Sequence, residues 1–187
     1  FDYAQRMGME GNVSQMARDS LSYAAAQKLY LANKTQEATV SFQNYLSNYP
    51  KGYYRNDALF FLSDCHVRDG RDAEAIETLT ELSQQGHTQY SERVLDKLSS
   101  MCYKSERWEQ AAMAYRSLYD EASTSAAKTN AASGYVASTL KYADDTGIMA
   151  MADDVEKMSD VNDVARRKAR YAKATILLRE GKEPQAM

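Results

Sequence analysis

Residues 56–82, NDALFFLSDCHVRDGRDAEAIETLTEL, read as two short amphipathic helices joined by a turn. Leu59, Leu62, Ser63 and His66 follow the i, i+3, i+4, i+7 spacing of one helical stripe, not the alternation of a strand. Asp69-Gly70-Arg71 interrupts the pattern, because glycine takes the left-handed conformation that closes a helix at little cost. Ala75, Ile76, Leu79 and Leu82 then form a second stripe that can face the first across the turn. A hairpin of this size cannot bury its apolar surface alone, so neighbours are expected.

The chain supplies them by repetition. Ala38 is followed four residues later by Phe42, Ala75 by Leu79 and Ala111 by Tyr115, and these alanines recur at intervals of 37 and 36 residues. Upstream of each lies a first-helix set: Ser22, Ala25, Ala26 and Leu29; Leu59, Leu62, Ser63 and His66; Leu95, Leu98, Ser99 and Cys102. Ala26, Ser63 and Ser99 are the small members that let a partner helix approach. Asn33 stands where Gly70 stands in the next repeat, and asparagine tolerates the left-handed conformation better than most residues. Pro50 closes the first repeat, since a helix does not continue through it.

This pattern resembles the tetratricopeptide repeat family, over about residues 19–122 closely and over the remainder loosely. Its first large slot holds Ser22, Leu59 or Leu95 where the family has tryptophan, and the repeat-closing proline appears once. The spacing exceeds the family's usual ~34 residues, which implies longer connections. The resemblance implies an all-α fold: a right-handed superhelix of stacked antiparallel helix hairpins, with units at about 19–50, 56–86, 91–122, 126–160 and 167–187. The segment SFQNYLSNYPKGYYRNDALFFLSDC also looks like bacterial envelope repeat proteins, including outer-membrane assembly lipoproteins and periplasmic coordinators. That likeness implies a periplasmic or outer-membrane-associated location.

Composition narrows the classes. With 187 residues and 44% hydrophobic content, the chain can bury roughly 70% of its extended surface. Two prolines and eight glycines argue against a flexible linker between separate domains. A formal charge of −3 gives no electrostatic reason to bind nucleic acid. No uninterrupted apolar run of ~18 residues exists, so no membrane span is read. The opening FDYAQRMGMEG lacks a charged leader followed by an apolar core, and no secretion signal is read there.

Towards the ends the pattern loosens. Gly8 and Gly11 suggest the tail of a helix, a turn, and the lead into Ala17. Residues 126–143 are alanine-rich and helical in propensity, 144–147 read as a turn, and Met151, Val155 and Met158 share a stripe. A fifth unit begins near Arg167, with Ala174 and Leu177 on its stripe, Gly181 at its turn and Ala186 in the next small slot. A solenoid ends in a capping element with a polar outer face. The expectation is therefore that further chain or a partner covers this end, and that the sequence is part of a longer repeat protein.

Catalytic constellations are not legible. There is no GxxxxGK[ST] loop, GxGxxG after a strand, HExxH helix or GxSxG elbow. His66 sits where the family often has tyrosine and reads as a packed, hydrogen-bonded core imidazole, while His87 reads as solvated. Cys65 and Cys102 lack CxxC spacing and read as small buried hydrophobes. Asp144-Asp145 and Asp153-Asp154 point apart on a helix or turn and read as solvated surface, not as a metal site. Arg166, Arg167, Lys168, Arg170 and Lys173 form one basic cluster, read as a solvated helical face or a contact for an acidic partner. No cofactor, metal or catalytic residue is expected.

The informative surface flanks the core stripe of each first helix, because stacked hairpins turn their first helices towards the concave side. Those residues are Tyr23, Gln27 and Tyr30; Phe60, Asp64 and Val67; Asp96, Ser100 and Tyr103; and Tyr171 with Leu178. Arg68, Arg93 and Lys104 lie one position off the same face. Such a groove would be aromatic, and tyrosine offers contact area at low entropic cost. The alternative is that these rings pack between neighbouring hairpins. Family members that grip a C-terminal carboxylate use lysine and asparagine where this chain has Tyr23 and Gln27, then Phe60 and Asp64, so that clamp is absent. The reading is a noncatalytic scaffold binding a peptide or partner protein; the other is a spacer or self-association segment, with the open C-terminal end as the associating surface.

Overall fold

The computed structural model describes the backbone of residues 2–181 and the side chains of residues 15–181. Among the described residues every regular element is an α-helix: α1 (Asp2–Leu31), α2 (Thr35–Asn48), α3 (Arg55–Arg68), α4 (Asp72–Ser83), α5 (Ser91–Lys104), α6 (Trp108–Glu121), α7 (Ser125–Tyr142), α8 (Asp145–Lys157) and α9 (Asp163–Arg179). The chain divides into two compact units, one up to Thr88 and one from Gln89.

In the first unit α1 pairs with α2 and α3 with α4, while α2 and α1 both pack on α3. Each hairpin turns on one left-handed residue, Asn33 (φ 56°) or Gly70 (φ 70°). The amide that follows it reaches back five residues along the helix end, Lys34 N to Leu29 O at 3.0 Å and Arg71 N to His66 O at 2.9 Å. These bonds satisfy carbonyls that a helix end otherwise leaves open. The core holds Phe42, Tyr45, Leu59, Ile76, Leu79 and Leu82.

The second unit repeats the device once, with α5 turning into α6 through Glu106 (φ 56°) and Arg107 N bonding Cys102 O at 2.9 Å. It then changes style. Polar caps start the later helices: Thr124 Oγ1 accepts from Ala127 N, Asp144 Oδ1 from Gly147 N and Asn162 Oδ1 from Ala165 N. Its core runs from Leu95 and Leu118 through Val136, Met151 and Val155 to Ala165 and Ala169. Gly134 lets α7 close on α6, for a Cβ there would stand 2.6 Å from the Tyr115 ring.

Several expectations change. No turn interrupts residues 8–11; α1 runs through both glycines, each costing a helix only ~1 kcal/mol. Residues 144–147 are the capped first turn of α8. In α1 the buried side is Asp19, Tyr23 and Ala26, while Ala25 is exposed and Ser22 and Leu29 are half-buried. Ala186 lies outside the described residues, and Gly181 takes the expected left-handed conformation (φ 71°).

Candidate interaction surface

In the first unit, the residues expected to line a groove mostly meet one another. Tyr23 is a correction: at 7% exposure it is a core residue. Its ring stacks on Tyr54 with centroids 4.5 Å apart and meets Tyr45 edge-on at 5.8 Å. It is buried because the chain between α2 and α3 folds back over α1 and places Tyr54 on its face. Gln27 donates from Nε2 to the Tyr23 hydroxyl at 3.2 Å.

Tyr30, Asp64 and Arg68 do come together, as a network between α1 and α3. The Tyr30 hydroxyl donates to Asp64 Oδ2 at 2.8 Å and accepts from Arg68 at 2.7 Å. Arg68 also bonds Asp64 at 2.8 Å, donates to Asn33 Oδ1 at 3.3 Å and lies 4.4 Å from the Tyr30 ring centroid. Burial, then the bond to Asp64, pushes the Tyr30 phenol above its ordinary range. Phe60 and Val67 are half-buried, and Phe60 meets Phe61 edge-on at 5.7 Å. The result is a rim of fixed side chains in which the Arg68 charge already has a carboxylate partner.

In the second unit Tyr103 is half-buried, edge-on to Trp108 at 5.0 Å and to Tyr115 at 6.4 Å. The Lys141 ammonium sits 5.6 Å from the Trp108 ring. Ser100 is half-buried, and Arg93, Asp96, Lys104 and Tyr171 are exposed. The basic cluster is largely committed within the unit: Arg170 makes two bonds to Glu156 at 2.6 and 2.8 Å, Lys173 pairs with Asp153, and Arg166 donates to Met158 O at 3.1 Å. Arg179 pairs with Asp145, and Asp154 pairs with Arg116. The acidic pairs read as solvated are thus a helix cap and three ion-pair partners. Among the described residues no three His, Cys, Asp or Glu side chains converge as a metal site.

Cys65 and Cys102 are buried free thiols, and burial pushes both above the ordinary thiol range. His66 is packed as expected, but Nδ1 has no hydrogen-bond partner among the described residues. Burial first, then the Arg71 charge, lowers its pKa from the ordinary value and so favours the neutral ring.

One feature was not legible from the helix stripes. The buried Asp19 carboxylate accepts from the Tyr45 hydroxyl at 2.6 Å and from the Tyr53 amide at 2.8 Å, while the Tyr54 amide donates to the same hydroxyl at 3.0 Å. Burial and the bond to Asp19 push the Tyr45 phenol far above its usual range. This lock fixes the Tyr-Pro-Lys-Gly-Tyr-Tyr connection, beside which lies an open recess of about 720 Å³ lined by Met16, Asp19, Tyr49, Pro50, Lys51 and Tyr53. The density of tyrosine around Pro50 was the available signal.

No family model matches the chain, and no curated protein matches it in sequence. Solved structures do match. A tetratricopeptide repeat protein from Parabacteroides merdae superposes with a TM-score of 0.53 at 13% identity, over 90% of this chain and 76% of that one. MamA from Desulfovibrio magneticus RS-1, residues 41 to its end, gives 0.50 at 10% identity, over 90% of this chain and 88% of that one. The fold is accordingly of the tetratricopeptide type: all-α, built of stacked antiparallel helix hairpins.

Proposed function

We propose that this chain is a noncatalytic interaction scaffold that holds a peptide or partner protein on the first-helix faces of its hairpins. The observation that carries this reading is the Tyr30–Asp64–Arg68 network, which holds aromatic and charged groups rigid at the surface of the first unit. A surface ordered before binding spares the partner part of the entropic cost of association. Phe60, Val67 and Arg68 are the contact residues proposed in the first unit, with Arg93, Asp96, Ser100, Tyr103, Lys104 and Tyr171 in the second. A location in the bacterial cell envelope is proposed on the resemblance of residues 41–65 alone.

The test is affinity capture by the native chain beside a Phe60→Ala, Arg68→Ala variant of equal helicity. A partner held by the native chain and lost from the variant supports the reading. Identical capture by both would sink it. Tyr23, being core, does not belong in such a variant.

A second reading, self-association, is favoured by a different observation. Tyr171 and Leu178 on α9 are 77% and 55% exposed, and on α1 Leu21 is 71% exposed.

A further inference from the structure

The lock around Asp19 leaves a charge uncompensated. The carboxylate is only 8% exposed, and its two donors, the Tyr45 hydroxyl and the Tyr53 amide, are both neutral. No lysine or arginine among the described residues pairs with it. Its own helix supplies none: residues 8–17 contain no basic residue, and Arg18 is exposed, successive helix positions pointing apart. Elsewhere the half-buried carboxylates Asp64 and Asp154 each hold an arginine, Arg68 and Arg116. Burying a charge without such a partner is costly.

Asp19 lines the recess of about 720 Å³ together with Tyr49, Pro50, Lys51 and Tyr53. A carboxylate offers about four acceptor positions, and two are taken here. The walls are aromatic: Tyr49 stacks on Tyr45 with centroids 5.4 Å apart, and Tyr53, 79% exposed, stands edge-on to Tyr54 at 5.0 Å. Tyrosine faces attract cations. Lys51 is exposed and makes no ion pair with Asp19.

We infer that this recess binds an alkylammonium group, the end of a lysine side chain or a free primary amine, with its nitrogen on the Asp19 carboxylate and its carbon stem against Tyr49, Pro50 and Tyr53. The site lies apart from the first-helix contacts Phe60, Val67 and Arg68 and does not depend on them.

Titration of the chain with n-butylammonium chloride at constant ionic strength tests it, followed through the Tyr53 amide resonance, because that amide bonds the same carboxylate. The native chain should give a saturable shift that n-butanol, equal in length but uncharged, does not reproduce. Asp19→Asn should weaken binding at least about tenfold and Tyr53→Ala about threefold, whereas Lys51→Glu should tighten it. Positions 51 and 53 are exposed, so these two variants test the site even if Asp19→Asn unfolds the hairpin. Substituting the capped peptide acetyl-Gly-Lys-Gly-amide for the amine separates the sources: tighter binding assigns the site to a partner's lysine, weaker binding to a free amine. No saturable shift with either probe, an equal response to n-butanol, or binding indifferent to Tyr53→Ala and Lys51→Glu overturns the inference.

Discussion

Asp19 is a carboxylate 8% exposed whose two oxygens are both occupied, by the Tyr45 hydroxyl and the Tyr53 amide. Replacing it with alanine leaves both donors without their acceptor, and a buried unpaired donor costs ~1–3 kcal/mol; the urea midpoint should fall accordingly. Gly52 belongs to the same lock. A Cβ at that position would meet the Tyr45 hydroxyl and stand 2.9 Å from Tyr49 Cβ, so Gly52→Ala should destabilise by ~1–3 kcal/mol. His66 makes the opposite case, a buried imidazole with an unpaired Nδ1. Arg71, Asp69 and Glu74 are the charges that act on it, and burial with Arg71 holds its folded pKa below the ordinary value. The unfolded chain therefore takes up the proton first: stability from the neutral ring is complete above ~6.5 and is lost as pH falls towards the depressed folded pKa. Leucine occupies the matching position of the first hairpin, Leu29, and His66→Leu should flatten the acid side of the stability profile measured by urea unfolding.

At the level of helices, three hairpins close on the same left-handed turn, and only one of the three uses glycine. Glu106 takes φ 56° where Gly70 takes 70°. A side chain in that conformation costs roughly 1–2 kcal/mol, so Glu106→Gly should raise the thermal midpoint, part of the gain being offset by the freer unfolded chain. The hairpins were legible because spacing and turn chemistry are local: Asn33 and Gly70 announced their turns, and Ala38, Ala75 and Ala111 their register. Which side of a first helix is covered was less legible, because that depends on the neighbour. Leu59, Leu62, Leu95 and Leu98 are buried as expected, whereas in α1, on which no preceding described hairpin packs, Ala25 is exposed and Tyr23 buried. The basic run on α9 was visible as charge, but its partners Glu156 and Asp153 are brought to it by the packing of α8. Such exposed pairs contribute little stability.

For the molecule as a whole, the division after Thr88 sets what responds to a local lesion. In a repeat array each hairpin contacts mainly its neighbours, and stability sums over local units and interfaces. Gly134→Leu would force α7 away from Tyr115, and amide exchange should lose protection in α6 and α7 while α1 to α3 keep theirs. Uniform loss through all helices would show instead that the chain opens as one block. The chain also carries a single tryptophan. Trp108 sits in the second unit between Tyr103 and Lys141, so its fluorescence is a native optical reporter of the α5–α6–α7 junction, with no label required. Far-ultraviolet dichroism sums the helices of both units. Where the two signals part company during unfolding, the gap between them measures the first unit by difference.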